Sequence, residues 1–146
     1  MSHPAPPPII EDPFTLYFWE GTKAGQLLIM RCQSCGYWVH LPKPVCRNCQ
    51  SMDVAPEPVS GKGTVYSFTE THKAFHPYFV DKVPYLIAVI ELAEQPHLHF
   101  QSNLVGITES DVRFGMPVQL EFAPFGDKTI PVFRPVGATD SEGTVA

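Results

Sequence analysis

The pattern of apolar and polar positions changes character three times along this chain. From Met1 to Ile10 prolines recur without a periodic apolar face, which predicts an arm over residues 1–11 with no fixed structure of its own. Helical spacing follows. Asp12 stands where an N-cap belongs and Pro13 at the first helical position. Phe14, Tyr17 and Phe18 then fall at i, i+3 and i+4, with Trp19 beside them, before Gly21 and Gly25 close the segment. The result is a short helix whose aromatic face needs cover, from the chain's own sheets or from another molecule.

From Gln26 the period shortens to that of a strand. Gln26 to Arg31 and Tyr37 to Leu41 read as a hairpin, Pro42 and Pro44 stiffen the return, and Met52 to Val59 reads as a Pro-rich connection. Beyond Gly61-Lys62-Gly63 five strand-like runs follow. In Thr64 to Thr71, Val65, Ser67 and Thr69 alternate with Tyr66 and Phe68, while Tyr85 to Glu91 is almost continuously apolar. In His97 to Leu104, Leu98, Phe100, Ser102 and Leu104 oppose His97, His99, Gln101 and Asn103; Val118 to Phe122 and Ile130 to Phe133 complete the set. Five short strands without a long helix predict a small closed barrel, most economically of the oligonucleotide/oligosaccharide-binding (OB) type, because closure removes exposed sheet edges. The expected organisation is mainly β: an arm (1–11), a helix and hairpin module (12–58), a five-stranded barrel (59–136) and a small polar tail (137–146).

Composition supports this division. Sixteen prolines oppose a mainly helical fold, since each removes a backbone donor. Ten basic against fifteen acidic residues leave a net charge of −5, a poor electrostatic match to nucleic acid. The longest apolar stretch, Tyr85 to Ile90, is strand-sized and predicts no membrane span. Met1 to Ile10 lacks the charged and apolar regions of a secretory leader, so a cytoplasmic protein is expected.

The chemistry is concentrated in four cysteines, Cys32-Gln33-Ser34-Cys35 and Cys46-Arg47-Asn48-Cys49, two CxxC pairs ten residues apart. Two such knuckles supply four soft thiolates to one tetrahedral ion, which predicts a single structural Zn²⁺ with no open position, in a rubredoxin-like zinc ribbon. Gly36 follows the first pair, where positive φ turns amides toward sulfur, whereas Gln50 follows the second. Two disulfides would need an oxidising compartment, and a redox CxxC would use one pair rather than two. Iron would also accept four thiolates.

With the thiols assigned to metal, the remaining candidates for catalysis are His72, His76, Asp81, His97 and His99. His72 and His76 lie in an aromatic loop with Phe75, Tyr78 and Phe79, suited to capping the barrel mouth or to touching a ligand. None pairs with an evident nucleophile. His97 and His99 alternate with core positions and should point outward. The chain carries no Walker loop, GxGxxG, nucleophile elbow or HExxH motif.

The order of several segments is more specific than any one of them. Phe18-Trp19-Glu20-Gly21, Leu27-Leu28, Arg31-Cys32, the two knuckles, Leu41-Pro42-Lys43-Pro44, Gly63-Thr64-Val65, Val83-Pro84-Tyr85 and Gly115-Met116-Pro117-Val118 together resemble the acyl-CoA-associated zinc-ribbon/OB-fold family, long known by an unknown-function label, number thirty-five. The resemblance spans about Asp12 to Pro135. It implies an accessory subunit that helps hold an acyl-CoA or acyl group, while the nucleophile or base belongs to a partner. That partner is a thiolase-like acyltransferase, a lipid-transfer-protein-type retro-aldolase or a hotdog-fold enoyl-CoA hydratase, in lipid, steroid or polyketide metabolism. Residue by residue it carries over Cys32, Cys35, Cys46 and Cys49 as metal ligands. Phe14, Tyr17, Phe18 and Trp19, with His72, Phe75, His76 and Phe79, match segments near the ligand and partner surfaces. Glu94-Gln95-Pro96-His97 stands where the family usually turns with glycine. Lys62, Lys73 and Lys82 could meet CoA phosphates, but three such lysines read first as ordinary solvated surface. The competing class is a nucleic-acid-binding ribbon/OB module in which Tyr66, Phe68 and Tyr85 stack bases.

Overall fold

In the computed structural model, residues 3–137 are described; the end of the expected arm, Met1 and Ser2, and the tail from residue 138 lie outside them. One α-helix, α1 (Leu16–Lys23), precedes eight strands. Strands β1 (Leu28–Cys32), β2 (Trp38–Val39) and β3 (Val54–Pro58) form an antiparallel sheet in the order β2-β1-β3. Strands β4 (Lys62–Thr71), β5 (Tyr85–Leu92), β6 (His99–Leu104), β7 (Pro117–Phe125) and β8 (Lys128–Pro135) close into a barrel in the order β4-β5-β6-β8-β7. All five runs expected to form the barrel do so. Among the described residues, no helix is long and apolar enough to cross a membrane.

Three local expectations change. First, Asp12 caps a turn and not the helix proper. Its Oδ1 accepts from Phe14 N at 2.8 Å and Thr15 N at 3.1 Å, and α1 begins only at Leu16. Phe14 therefore stands outside the helix and is exposed, so the expected three-residue aromatic face is not formed. Second, the Pro-rich connection contains β3, paired antiparallel with β1 from Leu28↔Pro58 to Cys32↔Val54. Prolines 56 and 58 are two residues apart on an edge strand, so both can aim their donorless nitrogens at the open side. Third, a bulge between Val65 and Ser67 interrupts β4. Val65 is buried, Tyr66 becomes the extra, exposed residue, and Phe68 rather than Ser67 returns to the core.

One core serves both sheets. Leu27, Ile29 and Trp38 from the ribbon side pack with Leu92, Leu98, Phe100 and Phe133 of the barrel side, and Phe18 of α1 joins them. Gln95, in the turn between β5 and β6, ties the two by a pair of hydrogen bonds: its Oε1 accepts from Trp38 N at 2.9 Å and its Nε2 donates to Trp38 O at 3.1 Å. The side chain thus imitates a neighbouring strand.

The arm touches the barrel. Glu11 pairs with Lys128 at the β7–β8 turn, and Ile9 lies against the outer barrel surface.

Candidate functional site

The two knuckles are built alike. Gly36 N donates to Cys32 O at 3.0 Å and Gln50 N donates to Cys46 O at 2.9 Å. Both closing residues take left-handed φ, +81° at Gly36 and +61° at Gln50, so Gln50 adopts the backbone that glycine would otherwise supply. Cys32 N donates to Tyr37 O and Cys46 N to Ser51 O, completing the same turn twice. Arg31 braces the first knuckle: its Nε donates to Gly36 O at 2.9 Å, and its guanidinium lies 4.8 Å from the centre of the Trp38 ring.

These turns bring all four Sγ atoms within 4.8 Å of one another, with 3.6 Å for both Cys32–Cys49 and Cys35–Cys46. A tetrahedral ion with Zn–S bonds of about 2.3 Å requires sulfurs about 3.8 Å apart, so the cluster fits the ion it was expected to hold. A disulfide would bring sulfurs to about 2 Å, and all four cysteines are free. Amide donors reach three of the sulfurs: Asn48 Nδ2 lies 3.5 Å from Cys35, Asn48 N 3.3 Å from Cys46 and Cys35 N 3.5 Å from Cys32. The Asn48 amide is the main reason the Cys35 thiol is drawn down to about 6, and the Cys35 amide does the same, in direction, for Cys32. Four sulfurs complete a tetrahedron, so an ion here would act by holding the ribbon together.

The aromatic candidates separate into two groups. Phe18 packs into the core, its ring 6.0 Å from that of Phe100, and Trp19 meets it edge-on at 4.9 Å. Tyr17 is half-buried, and desolvation pushes its hydroxyl up to about 12. Phe14 and Phe75 are exposed, the latter 83%. His72 is exposed and meets Glu70 at 2.9 Å. His76 accepts from Tyr78 N at 3.1 Å through Nδ1 and so caps the 3₁₀ turn Pro77–Phe79. That bond engages an imidazole lone pair in local structure. Phe79 belongs elsewhere, in a groove that periodicity alone did not identify.

The groove, of about 340 Å³, lies against the outer face of β5 and β6. Tyr85, Ile87, Phe125 and Ile130 give it an apolar floor, Phe79 stacks on Phe125 at 6.3 Å, and Lys82, Gln101 and Asn103 supply polar groups. Lys82 lies over the Tyr78 ring at 4.2 Å and beside Asp81 at 3.3 Å. The sequence held one signal for this groove. An alternating strand with one solvated face would carry polar residues opposite Leu86, Ala88 and Ile90; instead Tyr85, Ile87 and Val89 make both faces of β5 apolar.

A closed barrel behind a three-stranded, four-cysteine sheet defines the zinc-ribbon/OB-fold class of protein. Comparison with known proteins gives the same class and a family. Residues 19–54 match the ChsH2 rubredoxin-like zinc ribbon domain and residues 56–123 the ChsH2 C-terminal OB-fold domain. The chain belongs to the DUF35/ChsH2 family. It is 32% identical over 116 residues to a DUF35 domain-containing scaffold protein of Methanocaldococcus jannaschii, covering 78% of this chain and 80% of that protein. It is 40% identical over 120 residues to a probable enoyl-CoA hydratase alpha subunit of Thermomonospora curvata, and 33% over 121 residues to the 3-oxo-4,17-pregnadiene-20-carboxyl-CoA hydratase alpha subunit of Mycobacterium tuberculosis. Those matches cover 81% and 83% of this chain but 36% and 37% of the relatives, so the chain spans about a third of their length. Among solved structures, a chain of the Ltp2-ChsH2(DUF35) aldolase is 36% identical, with a TM-score of 0.79 over 88% of this chain and 98% of that one. A DUF35 protein of unknown function from Sulfolobus solfataricus shares the fold at 16% identity, with a TM-score of 0.57 over 84% of this chain and 85% of that one.

Proposed function

We propose that this chain is a non-catalytic accessory subunit of an acyl-CoA-processing enzyme, docking on a thiolase-like retro-aldolase or acyltransferase, or on a hotdog-fold hydratase, in lipid, steroid or polyketide metabolism. The observation that carries this reading is its likeness to a chain of the Ltp2-ChsH2(DUF35) aldolase over 88% of this chain and 98% of that one. One Zn²⁺ at Cys32, Cys35, Cys46 and Cys49 is its structural cofactor. The metal fixes the ribbon, and the partner supplies the nucleophile or base.

The parts of the molecule support a division of labour between α1 with the turn before it, the ribbon and the barrel. Exposed Phe14 and Phe75 are suited to insert into a partner, since large aromatic side chains anchor interfaces at little entropic cost. Tyr17, Trp19, His72 and His76 flank these anchors in sequence, and Phe18 fixes α1 to the core. The groove beside Phe79 offers an apolar floor for an acyl chain and Lys82 a cation for a phosphate of CoA. On this reading the subunit works in the cytoplasm with its partner.

Native affinity purification from the source cell, with mass spectrometry of co-eluting proteins, tests the reading. A stoichiometric thiolase-like, aldolase or hydratase partner is expected, together with no turnover by the isolated chain. Recovery of the chain alone or with nucleic acid, or turnover by a homogeneous sample, overturns it.

A further inference from the structure

We propose that Glu91, His97 and His99 form a second metal site, separate from the four cysteines, that takes a divalent transition-metal ion such as Zn²⁺ through two imidazole nitrogens and one carboxylate oxygen. One ligand atom from each of the three lies within 4.8 Å of the other two. Two imidazoles and a carboxylate are a donor set that suits zinc, with a fourth position left to water.

The strands assemble the set. Glu91 on β5 and His99 on β6 are cross-strand partners on the outward face, so their side chains rise together from the barrel surface. His99 Nε2 stands 3.8 Å from Glu91 Oε2, beyond hydrogen-bond length but close to the separation of about 3.3 Å that two ligands of one tetrahedral zinc ion adopt. That Nε2 is buried and has no hydrogen-bond partner. Buried polar atoms are normally satisfied, and an ion at this point would satisfy it. The ring is held in place by Tyr66, the residue displaced outward by the β4 bulge, at 4.2 Å between centroids.

His97 contributes the second observation. It occupies a left-handed backbone, φ +64°, in the turn where glycine would be free of strain. Its N–H donates to Glu91 Oε2 at 3.0 Å, which fixes the same carboxylate oxygen that lies near His99 Nε2 and leaves it a second lone pair for an ion, and its ring lies 6.1 Å from that of His99. A residue kept in an unfavourable conformation beside an unsatisfied imidazole and a positioned carboxylate is where a ligand role accounts for what packing does not.

The test uses the full chain with its cysteine site loaded with zinc and free metal removed. Calorimetric titration with Zn²⁺ in a non-chelating buffer should show one further equivalent. His99→Ala and Glu91→Gln should each raise the dissociation constant at least tenfold, and His72→Ala, whose imidazole lies beside Glu70, should leave it unchanged. His97→Gly is the decisive variant. Glycine accepts the left-handed turn without strain, so this protein should keep or raise its melting temperature in the absence of added metal while losing the second equivalent. No second equivalent in the parent chain overturns the proposal. So does uptake by His97→Gly and His99→Ala with the parent's affinity.

Discussion

The ribbon and the barrel lie against one core yet are held by different physics. Ribbon strands of five, two and five residues, with Leu27 just before the first, contribute Leu27, Ile29 and Trp38 to the shared cluster and have open edges. The barrel strands, six to ten residues long, close on themselves and bury Val65, Ile90, Phe100, Val118 and Phe133. A sheet too small to bury a core of its own needs a staple, and the four thiolates provide one. The barrel gains the equivalent from hydrophobic burial and from having no free edge. This difference predicts a ribbon that depends on metal and a barrel that does not.

Removing a ligand should separate the two most sharply. Cys46 is fully buried, and Cys46→Ser is expected to abolish stoichiometric zinc at the ribbon. Apparent zinc-binding free energies of about 10–16 kcal/mol exceed what so small a sheet can replace, so the ribbon should unfold. Hydrogen exchange should then show lost protection at Met30 and Val39 and retained protection at Ile90 and Leu104. Loss at both would mean that the shared core makes the molecule one cooperative unit.

The reciprocal experiment attacks the barrel. Phe133 has no exposed surface, and Phe133→Ala should cost about 3–5 kcal/mol through lost burial and the cavity left behind. The urea midpoint should fall while the folded protein keeps its zinc stoichiometry. Zinc loss under native conditions would show that the ribbon depends on the barrel more than the barrel on the ribbon.

Between these extremes lies the joint. Gln95→Ala leaves both the amide and the carbonyl of Trp38 without their partner, at about 1–3 kcal/mol. Faster exchange at the Trp38 amide with unchanged barrel protection is expected. An unchanged Trp38 rate would show that apolar contact, and not Gln95, seats the ribbon.

These contrasts also explain what could be read from the chain. The cysteine spacing and the period-two runs are local signals, and each produced the expected knuckle or barrel strand. Strand β3 was hidden because Pro56 and Pro58 forbid a central strand but not an edge one. The bulge at Tyr66 left no local mark, since its register is set by pairing with β5. The groove and the Glu91–His97–His99 cluster depend on which strands become neighbours. Periodicity placed His99 opposite the core positions, whereas His97, expected to begin that strand, stands before β6 in a left-handed turn; the nearness of both to Glu91 required the β5–β6 pairing.

The smallest effect distinguishes the two knuckles from each other. Gly36 and Gln50 hold equivalent left-handed positions, but only Gln50 has a Cβ to crowd its own backbone. Left-handed conformation costs an L-residue about 1–2 kcal/mol, and the greater freedom of glycine in the unfolded chain takes back about 0.5–1. Gln50→Gly should therefore stabilise the zinc-loaded protein by about 0.5–1 kcal/mol. Gly36→Gln should destabilise it by a similar amount, with some further cost because the new Cβ would approach Arg31 Nη2 at 3.4 Å. Urea unfolding of both variants with zinc present checks the pair. Opposite signs would establish that the second knuckle is formed against its own residue preference, by metal binding and the Gln50 N–H···O=C Cys46 bond; a loss of stability in Gln50→Gly would mean that the glutamine side chain contributes more than its backbone strain removes.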